Sequence, residues 1–388
     1  MQPAPGFIAS GLRFQGKAAT VSTAVSFIVM IIAVCVSSGF RKEIRIGLAS
    51  VMGDIQLTGE QPDYYSDKAP VSGSPSYLPL IGAVEGVERM APVIYRAGIV
   101  KWGDGIQGVL FKGISARDSL SSPAVIPRRL ADMIAIEEGD RITAYFVSEK
   151  VKARRFTVQG IENPMVEADD RLVVTVPISD LRRVNGWEEN EVSAIEITLN
   201  DRFRTRDMML LKEGEIGSIA CLSAKTEDPV LVASSSIRKY PQVYDWLQLI
   251  DTNVLVLILL MTLVAGVNMI SSLLILLLRH ISTIGTLKAM GMTDRGISSV
   301  FLRVSSRCVL KGMAIGNAAA LMFCLIQGST HLIRLNPVNY FVSFVPVSVN
   351  LPAILLADMA AWLVIMALLT LPCLFISRVD PAESIRMR

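Results

Sequence analysis

Four stretches without a charged side chain, residues 18–40, 252–278, 312–333 and 359–377, lie one near the start and three near the end of a 388-residue chain. Each reaches or nearly reaches the roughly 20 apolar residues a helix needs to cross a hydrocarbon core of about 30 Å. In that medium an open chain satisfies its backbone N–H and C=O groups only as a helix. The pattern predicts a multi-pass α-helical membrane protein with four spans in a one-plus-three layout. The expected order is an amphipathic helix over 1–17, a first span over 18–40, an inserted α+β domain over 41–245 with a stalk helix at each end, and a second span over 246–278. A loop over 279–311, a third span over 312–333, a short loop over 334–352, a fourth span over 353–377 and a tail over 378–388 follow.

Charge divides along the same lines. Residues 41–245 hold 26 Lys or Arg against 30 Asp or Glu, a net of −4, whereas the remainder holds 12 against 5, a net of +7. Basic clusters sit beside hydrophobic runs, so they read as membrane-surface charge, and nucleic acid is not an expected partner. Residues 1–17 carry Arg13 and Lys17, the 279–311 loop carries six bases against Asp294, and the tail carries three bases; the loop after the third span carries Arg334 alone. Positive charge stays on the cytoplasmic side. Both termini and the 279–311 loop are therefore expected in the cytoplasm, with the inserted domain outside it. Arg41, Lys42 and Arg45 fall on the other side of the first span, which long translocated domains tolerate. The first span is too long for a cleaved signal peptide and is expected to stay as an anchor.

Within 41–245 the pattern changes to short β-rich runs at 54–58, 92–100, 107–112, 141–147, 156–161, 172–176 and 192–199, with helical patches at 127–134, 178–184 and 204–212. This predicts an α+β domain, in two parts. Residues 69–84 are uncharged, but Pro70, Pro75 and Pro79 exclude a span, and a surface loop is expected. The run from Thr252 would be about 40 Å long as a helix, more than a bilayer core requires. With Tyr244, Trp246, Leu247 and Ile250 at helical spacing before it, one long helix is expected to join domain and membrane; the first span is expected to continue similarly through Ile44 to Val51.

Sites of chemistry are scarce. Residues 11–18 read G-L-R-F-Q-G-K-A, one hydroxyl short of a phosphate-binding loop; Ala18 stands where Mg²⁺ would want Ser or Thr, and no strand precedes Gly11. A cytoplasmic amphipathic helix, with Phe7, Ile8, Leu12 and Phe14 in the interface, is the better account. His280 and His331 fall near opposite membrane faces, so neither a His-based metal site nor a catalytic triad is expected, and five cysteines mostly in the spans predict no disulfide framework. Asp358 is expected near the outer surface, where its charge costs least. Gly312, Gly316 and Ala320 form a small-residue stripe for close helix packing, while Ala265, Asn268 and Ser272 share a face on which Asn268 needs a hydrogen-bond partner. In the 279–311 loop, Ile281, Ile284 and Leu287 follow helical spacing before a break at Gly291, Thr293 and Asp294, so either an interfacial helix or a docking element fits. Arg303, Arg307 and Lys311 follow at four-residue steps, as contacts with anionic lipid.

The stretches V-N-M-I-S-S-L-L (267–274), I-G-T-L-K-A-M-G (284–291) and D-P-A-E-S-I-R (380–386) resemble the membrane half of the FtsX-like, or MacB-type, ABC transporter permeases. P-R-R-L-A-D-M-I-A-I-E-E-G-D-R-I-T (127–143), F-T-V-Q-G-I (156–161) and F-I-A-S-G-L-R-F (7–14) resemble more closely the lipoprotein-releasing LolC/LolE branch of that family. The resemblance implies a MacB-like inserted domain on a permease with no catalytic residues or cofactor of its own. ATP and Mg²⁺ would be handled by two copies of a separate cytoplasmic ATPase that grips Ile284, Gly285, Leu287, Lys288 and Gly291 as a coupling helix. A second permease copy or paralogue would complete the assembly, a lipoprotein would be the substrate, and a periplasmic carrier would receive it. By position, Val36, Ser37, Phe40, Asn253 and Leu257 would face the substrate cleft. In the LolC type a proline-bearing hook between two strands captures the carrier; here residues 147–155 contain no proline, which implies the hookless partner or a single permease serving as both halves of a homodimer. The alternatives are a signal transmitter resembling cell-division FtsX, activating cell-wall hydrolases, and a MacB-like exporter of another amphiphile.

Overall fold

A computed structural model of the chain describes residues 17–60, 70–102, 105–115, 122–147, 151–162, 172–225, 228–336, 340 and 342–373. The expected N-terminal amphipathic helix and the 380–386 motif lie outside the described residues. In chain order the elements are α1 (Lys17–Met52), β1 (Ile55–Thr58), β2 (Val71–Ser72), α2 (Leu78–Gly82), β3 (Val87–Trp102), β4 (Gly105–Ile114), β5 (Pro123–Pro127), α3 (Arg128–Ile134), β6 (Arg141–Phe146), β7 (Lys152–Glu162), β8 (Val173–Pro177), α4 (Ile178–Asn185), β9 (Glu191–Val192) and β10 (Ala194–Leu199). After these come α5 (Arg206–Leu222), β11 (Val232–Ser235), α6 (Ser236–Lys239), α7 (Pro241–Arg279), α8 (Ile281–Ala289), α9 (Asp294–Thr330), α10 (Leu351–Leu368) and α11 (Thr370–Cys373).

Two compact units result. One takes in residues up to Lys42, Leu247–Arg334 and those from Phe344 onward; the other is Glu43–Trp246 with Leu335–Ser343. In the first unit four helical segments, Lys17–Ala49, Pro241–Arg279, Asp294–Thr330 and Leu351–Cys373, are long and apolar enough to cross a membrane. The architecture is thus a four-span helical bundle with an α+β domain inserted between the first and second spans. α10 breaks at Leu369, three residues before Pro372, a residue that removes a helical hydrogen bond and strains the turn before it.

The second unit is built on β3. Its first half pairs with β10 and so with β1 and β11; its second half pairs with both β4 and β6, which closes β3, β4, β8, β5, β7 and β6 into a ring of strands. Phe111, Phe146 and Phe156 fill that ring, with centroids 4.9 and 5.7 Å apart. The two parts expected from the strand and helix pattern are therefore joined by one continuous strand. The stretch expected to be a surface loop instead holds β2 and α2, and buries Tyr77 and Ile81 because the Tyr77 hydroxyl reaches the Pro229 carbonyl at 2.9 Å. α5 runs ten residues past its expected end at 212, through Gly214 and Gly217, poor helix formers on their own, because the helix packs on β11, where Gly217 faces Ala233.

Candidate functional site

The outer ends of α1 and α7 carry the densest polar arrangement of the bundle. Asp251, the last charge before the long apolar run, accepts from Ser37 Oγ at 2.8 Å and from the Arg41 guanidinium at 2.5 Å, through the same oxygen. An acid thus meets Arg41, the base that the charge rule had placed on the wrong side of the first span. Arg41 and Asp251 are 42% and 40% exposed, so in water the pair would contribute little, but beside a hydrocarbon boundary the same contact is far less screened. A strap crosses α1 at this height: the Ser348 amide donates to the Cys35 carbonyl at 3.0 Å, and a Cβ on Gly39 would fall 2.3 Å from the Pro346 carbonyl oxygen. Only glycine fits there. Of the five residues expected at a cleft, Ser37 and Phe40 are buried, Val36 and Leu257 half-buried, and Asn253 exposed. The structure brings Ser37 to α7 through Asp251.

Deeper in the bundle the small-residue stripe of α9 lies against α1. A Cβ on Gly312 would stand 2.9 Å from Thr23 Cβ, and one on Gly316 would stand 2.7 Å from the Ala24 carbonyl oxygen, which explains why both positions lack a side chain. Asn268 of α7 finds its partner in Ser22 of α1, donating to Oγ at 2.5 Å, while Ser272 is half-buried. Asp358 departs from expectation. It is the eighth residue of α10, buried, and one of its oxygens, Oδ2, accepts from Asn317 Nδ2 of α9 at 2.6 Å, so it finds a partner inside the bundle rather than at the outer surface. In its spanning window α1 is 50% buried but α7 only 22%, so α7 presents apolar surface that lipid or another apolar helix must cover.

The short helix α8 follows α7 after a one-residue turn at His280. Ile284 and Gly285 are buried within the unit, Leu287 and Lys288 half-buried, and Gly291, at φ +87°, makes the turn into α9. Lys288 pairs with Asp294 at 3.0 Å, and the Thr293 hydroxyl caps α9 by accepting from the Gly296 amide. The face open to another protein is therefore Ser282, Thr283, Thr286 and Met290, residues that the apolar periodicity passed over. Their signal was present as the polar side of the same helical repeat.

In the second unit a polar clamp grips the end of α1. Helix capping is completed by Gly53 at φ +71°, whose amide donates to Ala49. Just before it, the Val51 carbonyl accepts from Lys112 Nζ and from the Tyr95 hydroxyl, both at 2.9 Å, and both donors also reach the Glu196 carboxylate. Burial pushes Glu196 above the ordinary carboxylate range and Lys112 below the ordinary ammonium range, each partly offset by the other's charge. Beside it, Asp54 accepts from the Leu199 amide at 2.7 Å and from Arg204 at 3.0 Å; burial raises its carboxyl pKa, against these contacts. The Asp54 carbonyl receives the Ser236 amide, and Ser236 Oγ lies 2.7 Å from the Tyr244 hydroxyl on α7. No motif marked these residues in the sequence, because their partners lie far along the chain, 150 positions away for Asp54 and Arg204.

Residues 255–381 match the family described as FtsX-like permease C-terminal. The second, third and fourth spans thus form an FtsX-like permease domain. Over nearly its whole length the permease is similar to two proteins named lipoprotein-releasing system transmembrane protein LolC. The one from Xylella fastidiosa strain 9a5c is 21% identical, over 97% of this chain and 94% of the relative. That from strain Temecula1 is 22% identical with the same coverage. Among solved structures, the extracellular domain of the noncanonic ABC-type transporter YknZ from Gram-positive bacteria aligns with 47% of this chain and 99% of its own at 12% identity and a TM-score of 0.31. The periplasmic region of MacB from Actinobacillus actinomycetemcomitans aligns with 50% of this chain and 95% of its own, also at 12% identity and 0.31. The chain is thus similar to LolC proteins over nearly its whole length, and its last three spans match the FtsX-like permease family.

Proposed function

We propose that this permease extracts lipoproteins from the inner membrane toward a periplasmic carrier, driven by a separate cytoplasmic ATPase. Supporting the reading above all is that similarity to LolC proteins extends over 97% of the chain, inserted domain included, and is not confined to the shared membrane half. Two ATPase copies would dock on α8 of this chain and of a second permease, copy or paralogue, and would supply the ATP and Mg²⁺ chemistry. Both termini would be cytoplasmic and the inserted domain periplasmic. Load on α8 would pass through the Lys288–Asp294 pair into α9 and, through the Gly312 and Gly316 contacts, to α1. The Ser37–Asp251–Arg41 contacts would be the latch that holds α1 to α7 until that load parts them and admits an acylated substrate near Val36, Ser37, Phe40, Asn253 and Leu257.

Depletion followed by membrane fractionation tests this. Lipoproteins destined for the outer membrane are expected to accumulate in the inner membrane. Normal sorting after depletion would sink the proposal, and loss of cell-wall hydrolase activation alongside normal sorting would favour a signal transmitter instead.

A further inference from the structure

A cavity of about 520 Å³ opens between the first turns of α9 and the ends of α10 and α11, in the bundle unit. Its lining is divided by chemistry. Arg295, Ser299 and Arg303 lie on one face of α9, four residues apart, so the two arginine backbones stand about 12 Å apart along the helix, with Ser299 between them and a gap that two long side chains can close from either end. Leu302, Trp362 and Met366 form the apolar side. Among the described residues neither arginine has an ion-pair partner, although the one lining carboxylate, Asp294, is engaged by Lys288. A cavity with uncompensated positive charge at one end and indole and thioether surface at the other is complementary to an anionic head on an apolar tail.

We propose that this cavity binds one anionic phospholipid from the membrane leaflet on the α8 side. The phosphate would lie between Arg295 and Arg303, whose planar forks suit phosphate oxygens. Serine hydroxyls would complete its hydrogen bonds, and an acyl chain would lie against Trp362 and Met366. Arg307 and Lys311, which the sequence pattern places against anionic lipid at the membrane surface, do not line the cavity, so they serve as an internal comparison: their loss should leave the component of quenching that depends on Trp362. The inference rests on α9 and α10 crossing the bilayer and not on which substrate the permease moves, so failure of either proposal leaves the other standing.

The test uses the full-length chain in neutral detergent, titrated with phosphatidylglycerol or phosphatidylcholine carrying brominated acyl chains, with tryptophan emission as the readout. Brominated phosphatidylglycerol is expected to quench at lower concentration than the phosphatidylcholine, and Trp362→Phe to remove that component. Near a membrane surface each basic residue contributes about fivefold to anionic-lipid binding, so Arg295→Gln with Arg303→Gln should weaken it about 30-fold, while Arg307→Gln with Lys311→Gln keeps the preference. Arg295→Lys with Arg303→Lys retains charge and should keep most of the preference, which separates lost charge from lost folding. Equal quenching by the two lipids, loss of preference in the Arg307/Lys311 variant but not the Arg295/Arg303 variant, or quenching that Trp362→Phe leaves intact would overturn the proposal. Displacement of the lipid by inorganic phosphate at comparable concentration would also overturn it, in favour of a soluble anion.

Discussion

The Lys112–Glu196 pair gives the sharpest test of how the inserted domain holds the end of α1. Both Glu196 oxygens lie within 2.9 Å of Lys112 Nζ, and the two side chains are only 6% and 8% exposed. Glu196→Gln leaves the ammonium in that dry site without its counter-charge; Lys112→Met leaves the carboxylate with the Tyr95 hydroxyl and no cation. Breaking a buried pair from one side typically costs about 3–5 kcal/mol, whereas removing both charges is often close to neutral. In a unit of about 200 residues, 1 kcal/mol shifts the melting temperature by roughly 2–4 °C, so each single variant should lose about 10 °C. The double variant should recover most of that loss instead of adding the two, a coupling of roughly 5 kcal/mol or more. Thermal unfolding of the full-length chain in detergent, with the wild type and all three variants in parallel, measures the cycle. Additive losses in the double variant, or single variants that melt with the wild type, would refute the argument that the charges are mutually dependent at the α1 terminus.

Three further outcomes follow from the geometry. The Asp54 carboxyl is raised above its usual 3.8, so the stability it confers is full below 3.8 and is lost as pH rises through the raised value; the advantage of wild type over Asp54→Asn in unfolding should therefore shrink over that window and then level off. Gly316→Ala would set a methyl 2.7 Å from the Ala24 carbonyl oxygen and 2.8 Å from Phe27 Cβ, at a cost of about 1–3 kcal/mol in detergent unfolding, whereas Gly328→Ala on the same helix, with nothing within 4 Å, should be tolerated. At the latch, Arg41→Asp or Asp251→Arg alone should lower lipoprotein release in reconstituted vesicles, and the two together should restore part of it; a swap no better than either single change would count against an electrostatic latch.

Much of the bundle could be read before any coordinates, and for one reason. A hydrocarbon solvent leaves so few ways to satisfy a backbone that length and the absence of charge are sufficient evidence for spans, and Gly312 and Gly316 could be assigned to helix contact because close approach requires missing side chains. Strands in the inserted domain were legible where alternation was clear, as at β6 and β7. β5, bounded by Pro123 and Pro127, and β11, which ends in Ser234 and Ser235, instead carry the residues that mark turns and loops. Ile284 and Leu287 marked α8 correctly as a helix, yet apolar spacing finds the face that a helix buries, and the face left for a partner was its polar side.

Sequence alone determined the four spans, the inserted α+β domain and the family resemblance, because each is a local pattern of residue types. Tertiary structure decided which charges meet. Asp251 with Arg41, Asp358 with Asn317, and Lys112 with Glu196 are separated by 210, 41 and 84 positions. No local pattern encodes such pairs. Only the fold brings each buried or boundary charge to the partner that lowers the cost of keeping it there.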